Sequence, residues 1–67
     1  MIKFSVNGKI FELENDINVY DFLAQNGYEI KFIALERDGE ILPKKLWHER
    51  LMSEGKAYEI VTLVGGG

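Results

Sequence analysis

Ile2-Lys3-Phe4-Ser5-Val6-Asn7-Gly8-Lys9-Ile10-Phe11-Glu12-Leu13 is the stretch from which the fold can be worked out. Ile2, Phe4 and Val6 alternate with Lys3 and Ser5, the period of a half-buried strand. Asn7-Gly8 follows, the strongest short hairpin signal, because a type I′ turn needs positive φ at both central residues. A two-residue loop there places Val6 opposite Lys9, Phe4 opposite Phe11 and Ile2 opposite Leu13, so the apolar faces of the two strands coincide.

Next along the chain, Asn18 has the character of a helix N-cap, with Asp21 in a capping-box position and Ile17 and Phe22 placed as a hydrophobic staple. Val19, Phe22, Leu23 and Asn26 share one face of that short helix, and Gly27 supplies its stop. Phe32-Ile33-Ala34-Leu35-Glu36 reads as a strand, Asp38-Gly39 as a second hairpin turn and Glu40-Ile41-Leu42 as a return strand that Pro43 ends. Between Lys44 and Met52 the spacing of Leu46, Trp47, Arg50 and Leu51 fits a helix or a 3₁₀ turn equally. Glu54-Gly55 makes a turn, and Tyr58 to Val64 is the last strand.

The order is therefore β-β-α-β-β-(short helix)-β, with the most apolar strands at the two ends of the chain and pairing at the centre of the sheet. One helix suffices to cover one face of such a sheet. The expected fold is an α+β roll of the β-grasp (ubiquitin-like) type: a mixed sheet with one main helix on one face. Residues 1–64 form the domain and 65–67 a flexible glycine tail. If the two central strands run parallel, the tail leaves the domain at the far end from Met1.

Composition narrows the function. The chain has 67 residues, enough for one domain with a single small core. It has no cysteine, so disulfides, Cys-based metal sites and a reactive side-chain thiol are excluded. Its formal charge is −3, from 11 acidic and 8 basic residues, a balance that argues against a general nucleic-acid binder. No secretory signal and no apolar run long enough to span a bilayer is visible, so no membrane association and a cytoplasmic location are expected. The single histidine, His48, has no second His or Cys to join it in a metal or catalytic site and reads as a surface residue. Trp47 reads as a core or semi-buried plug, and Lys44, Lys45 and Arg50 suit a solvated turn as well as an acidic partner. No catalytic residue and no metal ligand is assigned.

The last strand and the tail carry the functional reading. Tyr58, Ile60, Thr62 and Val64 lie on one side and Glu59, Val61 and Leu63 on the other. A mid-strand glutamate is costly to bury, so the Glu59 side is expected to be the open one. Val61 and Leu63 then stand exposed just before the tail, either as partner-docking residues or as plain β-formers beneath neighbouring side chains. Gly65-Gly66-Gly67 has no Cβ anywhere, so it can lie extended in a channel too narrow for side chains and leaves its terminal carboxyl open to attack. A frayed end or an expression scar would give the same three letters. No helix or P-loop lysine follows, so the run is not a phosphate loop.

This tail on this pattern resembles the ubiquitin-like sulfur carriers. Asp38-Gly39-Glu40-Ile41-Leu42-Pro43, the Trp47 beyond it, and Glu59-Ile60-Val61-Thr62-Leu63-Val64-Gly65-Gly66-Gly67 resemble the thiamine-biosynthesis sulfur carrier (ThiS) family in particular, over essentially the whole chain. Lys56 after Gly55, where the family often has an acidic residue, is a departure at a turn. The resemblance implies a carrier and co-substrate, not an enzyme. In it, an E1-like adenylyltransferase adenylates the carboxylate of Gly67, using ATP and Mg²⁺ that it binds itself, so this chain needs no cofactor. A sulfur donor such as a cysteine desulfurase converts the adenylate to a thiocarboxylate, and a thiazole synthase takes the sulfur for the thiazole ring of thiamine. Gly65 and Gly66 would give reach into the partner's channel. The alternatives are a carrier like the small subunit of molybdopterin synthase, a protein-conjugating ubiquitin-like modifier, and a β-grasp interaction module with an inert tail.

Overall fold

The computed structural model describes residues 1–63; Val64 and the glycine tail 65–67, on which the proposed reach and activation depend, lie outside the described residues. The element order is β1 (Ile2–Val6), β2 (Lys9–Leu13), α1 (Val19–Gln25), a 3₁₀ turn (Ile30–Phe32), β3 (Ile33–Arg37), β4 (Glu40–Ile41), a second 3₁₀ turn (Lys44–Leu46) and β5 (Ala57–Thr62). The strands form a five-stranded sheet in the order β2-β1-β5-β3-β4. The first and last strands are its central pair and run parallel, with Ser5 beside Ala57 and Val6 beside Tyr58. This is the β-grasp arrangement expected from the sequence.

The first hairpin has the register its turn dictates: Ile2 faces Leu13, Phe4 faces Phe11 and Val6 faces Lys9. Asn7 at φ 50° and Gly8 at φ 82° supply the two positive angles of the type I′ turn. Asp38 at 50° and Gly39 at 86° repeat the device in the second hairpin. Helix α1 starts at Asn18, whose Oδ1 accepts the Asp21 N–H at 2.7 Å. It ends in a Schellman motif: Gly27, at φ 84°, donates to the Ala24 carbonyl, and Tyr28 donates to the Leu23 carbonyl.

The helix buries Val19, Phe22 and Leu23 against Phe4, Val6, Ile33, Leu35 and Tyr58 of the sheet. Phe4, Phe11 and Phe22 form one mutual cluster: Phe22 is edge-on to Phe4 at 5.3 Å, Phe11 stacks on Phe4 at 5.9 Å, and Phe11 and Phe22 meet edge-on at 5.1 Å between centroids. Trp47 is fully buried in the same core, and its Nε1–H donates to the Leu42 carbonyl at 2.8 Å, so the indole pays no desolvation penalty for its polar atom. Met52 completes the core from the segment that leads into β5. No helix of the described residues is long and apolar enough to cross a membrane.

Several boundaries differ from the sequence reading, each for a local reason. Phe32 ends a 3₁₀ turn instead of opening β3, because the chain must rise from the helix to the sheet there, and its Phe32 N–H is bonded to the Glu29 carbonyl. Leu42 leaves β4 to enter the core, although its N–H still bonds the Leu35 carbonyl at 2.8 Å. Asn26 is not on the buried helix face; it is the exposed C-cap residue, and its Nδ2 donates to the Phe22 carbonyl. The 44–52 segment takes the 3₁₀ alternative of the two the spacing allowed, at Lys44–Leu46, and leaves Arg50 and Leu51 exposed. β5 begins at Ala57, one residue before the expected Tyr58.

Candidate functional site

The candidate site is the end of β5, the strand that precedes the tail in sequence, and the open sheet face around it. β5 lies between β1 on one side and β3 on the other, and its pairing with β3 runs from Arg37–Tyr58 to Ile33–Thr62. One further backbone bond, from the Leu63 N–H to the Phe32 carbonyl at 2.7 Å, carries this pairing past the strand end.

On the other edge the pairing with β1 is shorter, Ser5–Ala57 and Val6–Tyr58, and the turn residue Asn7 extends it. Asn7 donates its N–H to the Tyr58 carbonyl at 2.9 Å, and its side-chain Oδ1 accepts the Ile60 N–H at 2.7 Å. At the opposite end of the strand, Asp38 donates its N–H to the Ala57 carbonyl at 2.8 Å, and its Oδ1 accepts the Ala57 N–H at 2.9 Å. Asn7 and Asp38 thus serve twice: each bends its hairpin and each ties that hairpin to the strand that carries the tail. The Ala57 N–H, and then the Lys56 ammonium 3.3 Å from Oδ2, hold the Asp38 carboxyl below the usual carboxylate range. Inside the sheet, Tyr58 is fully buried and its hydroxyl accepts the Ser53 N–H at 2.9 Å.

The two faces of β5 divide as its alternation requires. Tyr58 is buried and Ile60 half-buried on the helix side, while Glu59, Val61 and Leu63 are exposed on the other. Val61 and Leu63 are 47% and 50% exposed, so they are not covered by neighbouring side chains. Registers across the sheet show what surrounds them. Val61 stands opposite Ala34, and Phe32, 54% exposed, lies by Leu63. In the next row Glu59 stands directly opposite Glu36, and Glu36 directly opposite Ile41 of β4, which is 64% exposed. The row beyond holds Ala57, Ser5 and Ile10, beside a shallow depression of about 250 Å³ lined by Lys3, Ser5, Ile10, Lys56 and Ala57. Seen from the tail end, the open face is apolar, then acidic, then mixed, with Lys3, Ser5 and Lys56 beside Ile10 and Ala57.

The sequence reading found Val61, Leu63 and the openness of this face. It did not find Ala34, Glu36, Ile41 and Ile10 as their neighbours, because no tight turn links β5 to β3 or to β1 and so nothing local announces their register. The second roles of Asn7 and Asp38 were likewise hidden, since a turn residue shows its local geometry in sequence and not its reach across the sheet. His48 lies outside this site: it is exposed, with its ring stacked on Tyr20 at 4.0 Å between centroids. Trp47 is core and not a binding anchor. Among the described residues no three His, Cys, Asp or Glu side chains gather as a metal site.

Residues 4–67 match the model of the ThiS family. The chain is similar to the sulfur carrier protein ThiS of Bacillus subtilis (strain 168), 36% identical over 63 residues, with 92% of this chain and 96% of that protein covered. It is also 30% identical over 66 residues to a thiazole synthase of Paramagnetospirillum magneticum; 98% of this chain but 20% of that protein is covered, so the likeness spans one part of a longer polypeptide. Among solved structures, the thiamine biosynthesis protein (ThiS) of Geobacter metallireducens superposes with a TM-score of 0.80 at 26% identity, covering 98% of this chain and 100% of the other.

Proposed function

The chain belongs to the ThiS family, and from that membership we propose that it is a sulfur carrier of thiamine biosynthesis whose working group is the carboxyl of Gly67. The observation that carries the reading is the family match, which runs unbroken through the glycine tail to residue 67. The strand ahead of that tail supports it: β5 is fixed on both edges, so the base from which a partner would take the chain is already in place.

A carboxylate is a poor electrophile. In the proposed cycle an E1-like adenylyltransferase, with ATP and Mg²⁺ in its own site, lets a Gly67 carboxylate oxygen attack the α-phosphorus and displace pyrophosphate. The acyl adenylate now has AMP as a leaving group. The terminal sulfur of a cysteine persulfide, formed by a donor such as a cysteine desulfurase, attacks the carbonyl carbon and expels AMP. A second thiol attacks the donor-cysteine sulfur of the resulting acyl disulfide, leaving a thiocarboxylate on Gly67 and a disulfide between that thiol and the donor cysteine. A thiazole synthase then takes the sulfur; the likeness to one part of a protein bearing that name supports placing the two activities together. Gly65 and Gly66 admit the terminus to channels closed to side chains. Val61 and Leu63 dock the partner. The chain itself contributes no catalytic group.

The family match and the likeness to a protein named as a sulfur carrier favour this route over the molybdopterin and inert-tail alternatives. The test is pyrophosphate release by the tail-activating enzyme with ATP. The full chain should support it, and a chain lacking Gly66 and Gly67 should fold but not support it. Equal release from both chains would overturn the reading.

A further inference from the structure

β2 (Lys9–Leu13) is the outermost strand on its side of the sheet. The type I′ turn closes on a bond between Val6 and Lys9, and antiparallel ladder bonds fall on alternate pairs, so they lie on Lys9, Phe11 and Leu13. β1 agrees: Ser5 donates to the Lys56 carbonyl and the Lys3 carbonyl accepts from Gly55, which leaves Ile2, Phe4 and Val6 to bond β2. Ile10 and Glu12 therefore turn their backbone N–H and C=O groups outward, where no described residue meets them. Natural sheets blunt such an edge with a very short strand, a proline or a bulge. The other edge is blunted, since β4 has two residues. β2 has five, holds no proline, pairs with β1 in unbroken register and leaves Ile10 57% exposed.

We propose that two copies of this chain pair β2 to β2, antiparallel about a two-fold axis at Phe11, into one continuous sheet. Bonding requires an outward-facing residue opposite another. Glu12 against Glu12 sets like charges face to face. Ile10 against Ile10 runs Glu12 onto Gly8, whose φ of 82° is not that of a strand. Ile10 against Glu12, formed twice by symmetry, uses every outward N–H and C=O of those residues. Phe11 then faces Phe11 in a non-hydrogen-bonded pair, where side chains approach closest. Each ring is half-buried and already held by Phe4 and Phe22, so the pair covers apolar surface at little cost in side-chain order. The charges select a copy over an unrelated strand. β2 carries Lys9 at its start and Glu12 near its end, with Glu14 just beyond, and antiparallel pairing lays each basic start along the acidic end of the other. Glu12 of the second copy also comes opposite Ile10, which lines the depression bordered by Lys3 and Lys56. β1 separates this edge from β5, so the pairing leaves Val61 and Leu63 uncovered.

Sedimentation velocity across the micromolar to millimolar range tests this, with amide hydrogen exchange at both ends of the range. The interface is small, so association should be weak and reversible, and the native chain should shift from monomer towards dimer as concentration rises. The Ile10 and Glu12 amides should gain protection with it. Glu12→Pro removes an outward donor and no bond to β1, and by symmetry removes it twice, so dimerisation should weaken about tenfold or more. Ile10→Glu, which faces Glu12, should weaken it about fivefold or more, whereas Ile10→Lys, facing the same carboxylate, should pair at least as tightly as the native chain. Both Ile10 variants alter an exposed side chain and should melt with the native chain at micromolar concentration, which separates pairing from folding. A chain that stays monomeric throughout overturns the proposal and leaves the edge to a strand of another protein. A dimer that protects other amides, or one weakened equally by Ile10→Glu and Ile10→Lys, overturns it as well.

Discussion

Replacing Asn7 with glycine tests whether the first hairpin anchors the tail-bearing strand. Glycine keeps the turn, because φ 50° at this position suits it at least as well as asparagine. It removes one contact across the sheet, the 2.7 Å bond from the Ile60 N–H to Asn7 Oδ1. Losing a hydrogen bond of this kind costs about 0.5–1.5 kcal/mol. The added freedom of glycine in the unfolded chain costs roughly 0.5–1 kcal/mol, and relief of the left-handed conformation returns part of that. The net loss is then about 1 kcal/mol, which in a domain this small lowers the melting temperature by about 4–8 °C. Thermal unfolding followed by circular dichroism gives the global number. Amide hydrogen exchange gives the local one: the Ile60 amide should lose protection beyond the global change, while the Leu63 amide, bonded to Phe32 on the other edge of β5, should follow the global change alone. An unchanged melting temperature, or an Ile60 amide that keeps its protection relative to Leu63, would refute the idea that Asn7 holds β5.

Three other outcomes are expected. Trp47→Phe should lose about 1–3 kcal/mol by leaving the buried Leu42 carbonyl without its 2.8 Å donor, and Trp47→Ala about 3–5 kcal/mol, measured by urea unfolding; a loss below about 1 kcal/mol for the alanine variant would contradict the core assignment. Asp38 has its carboxyl pKa lowered by folding, so the stabilisation from its charge is fully present above the ordinary aspartate value, about 3.9, and is lost as pH falls through the lower folded value. Asp38→Asn keeps the turn and an acceptor for Ala57, so the stability gap between native chain and variant should close as the pH is taken below about 4, and a gap that is flat with pH would count against the assignment. Val61→Ser with Leu63→Ser should leave the melting temperature within about 0.5 kcal/mol equivalent of the native chain, because both are surface positions, while raising the KM for activation; an unchanged KM would remove them from the docking surface.

Much of the fold was legible because the decisive signals are local. Asn7-Gly8 and Asp38-Gly39 set their hairpins through backbone angles alone, and Asn18 and Gly27 bracket the helix by capping chemistry. The central pairing of the first and last strands was legible for a different reason, since they are the most apolar and a centre is where such strands can be buried on neighbouring edges; their parallel sense was not. The openness of one face followed from Glu59 alone, through the cost of burying a carboxylate. Long-range register was not legible. Nothing near Glu59 in the chain announces Glu36, and nothing near Asn7 announces Ile60, because those contacts join segments separated by more than a hairpin. The 3₁₀ turn that holds Phe32 and the entry of Leu42 into the core are likewise set by the path the chain must take between layers, which residue preferences do not encode.

Whether Gly67 carries the sulfur is tested most directly by the mass of the C-terminal peptide. The chain is incubated with its E1-like adenylyltransferase, ATP, Mg²⁺, a cysteine desulfurase with cysteine, and a thiol reductant, and its C-terminal peptide is then weighed. The account predicts a gain equal to exchange of one oxygen for one sulfur, confined to the peptide ending in Gly67 and absent when ATP is withheld. A C-terminal peptide of unchanged mass, from a reaction in which pyrophosphate has been released and the desulfurase is shown to be active, would contradict it.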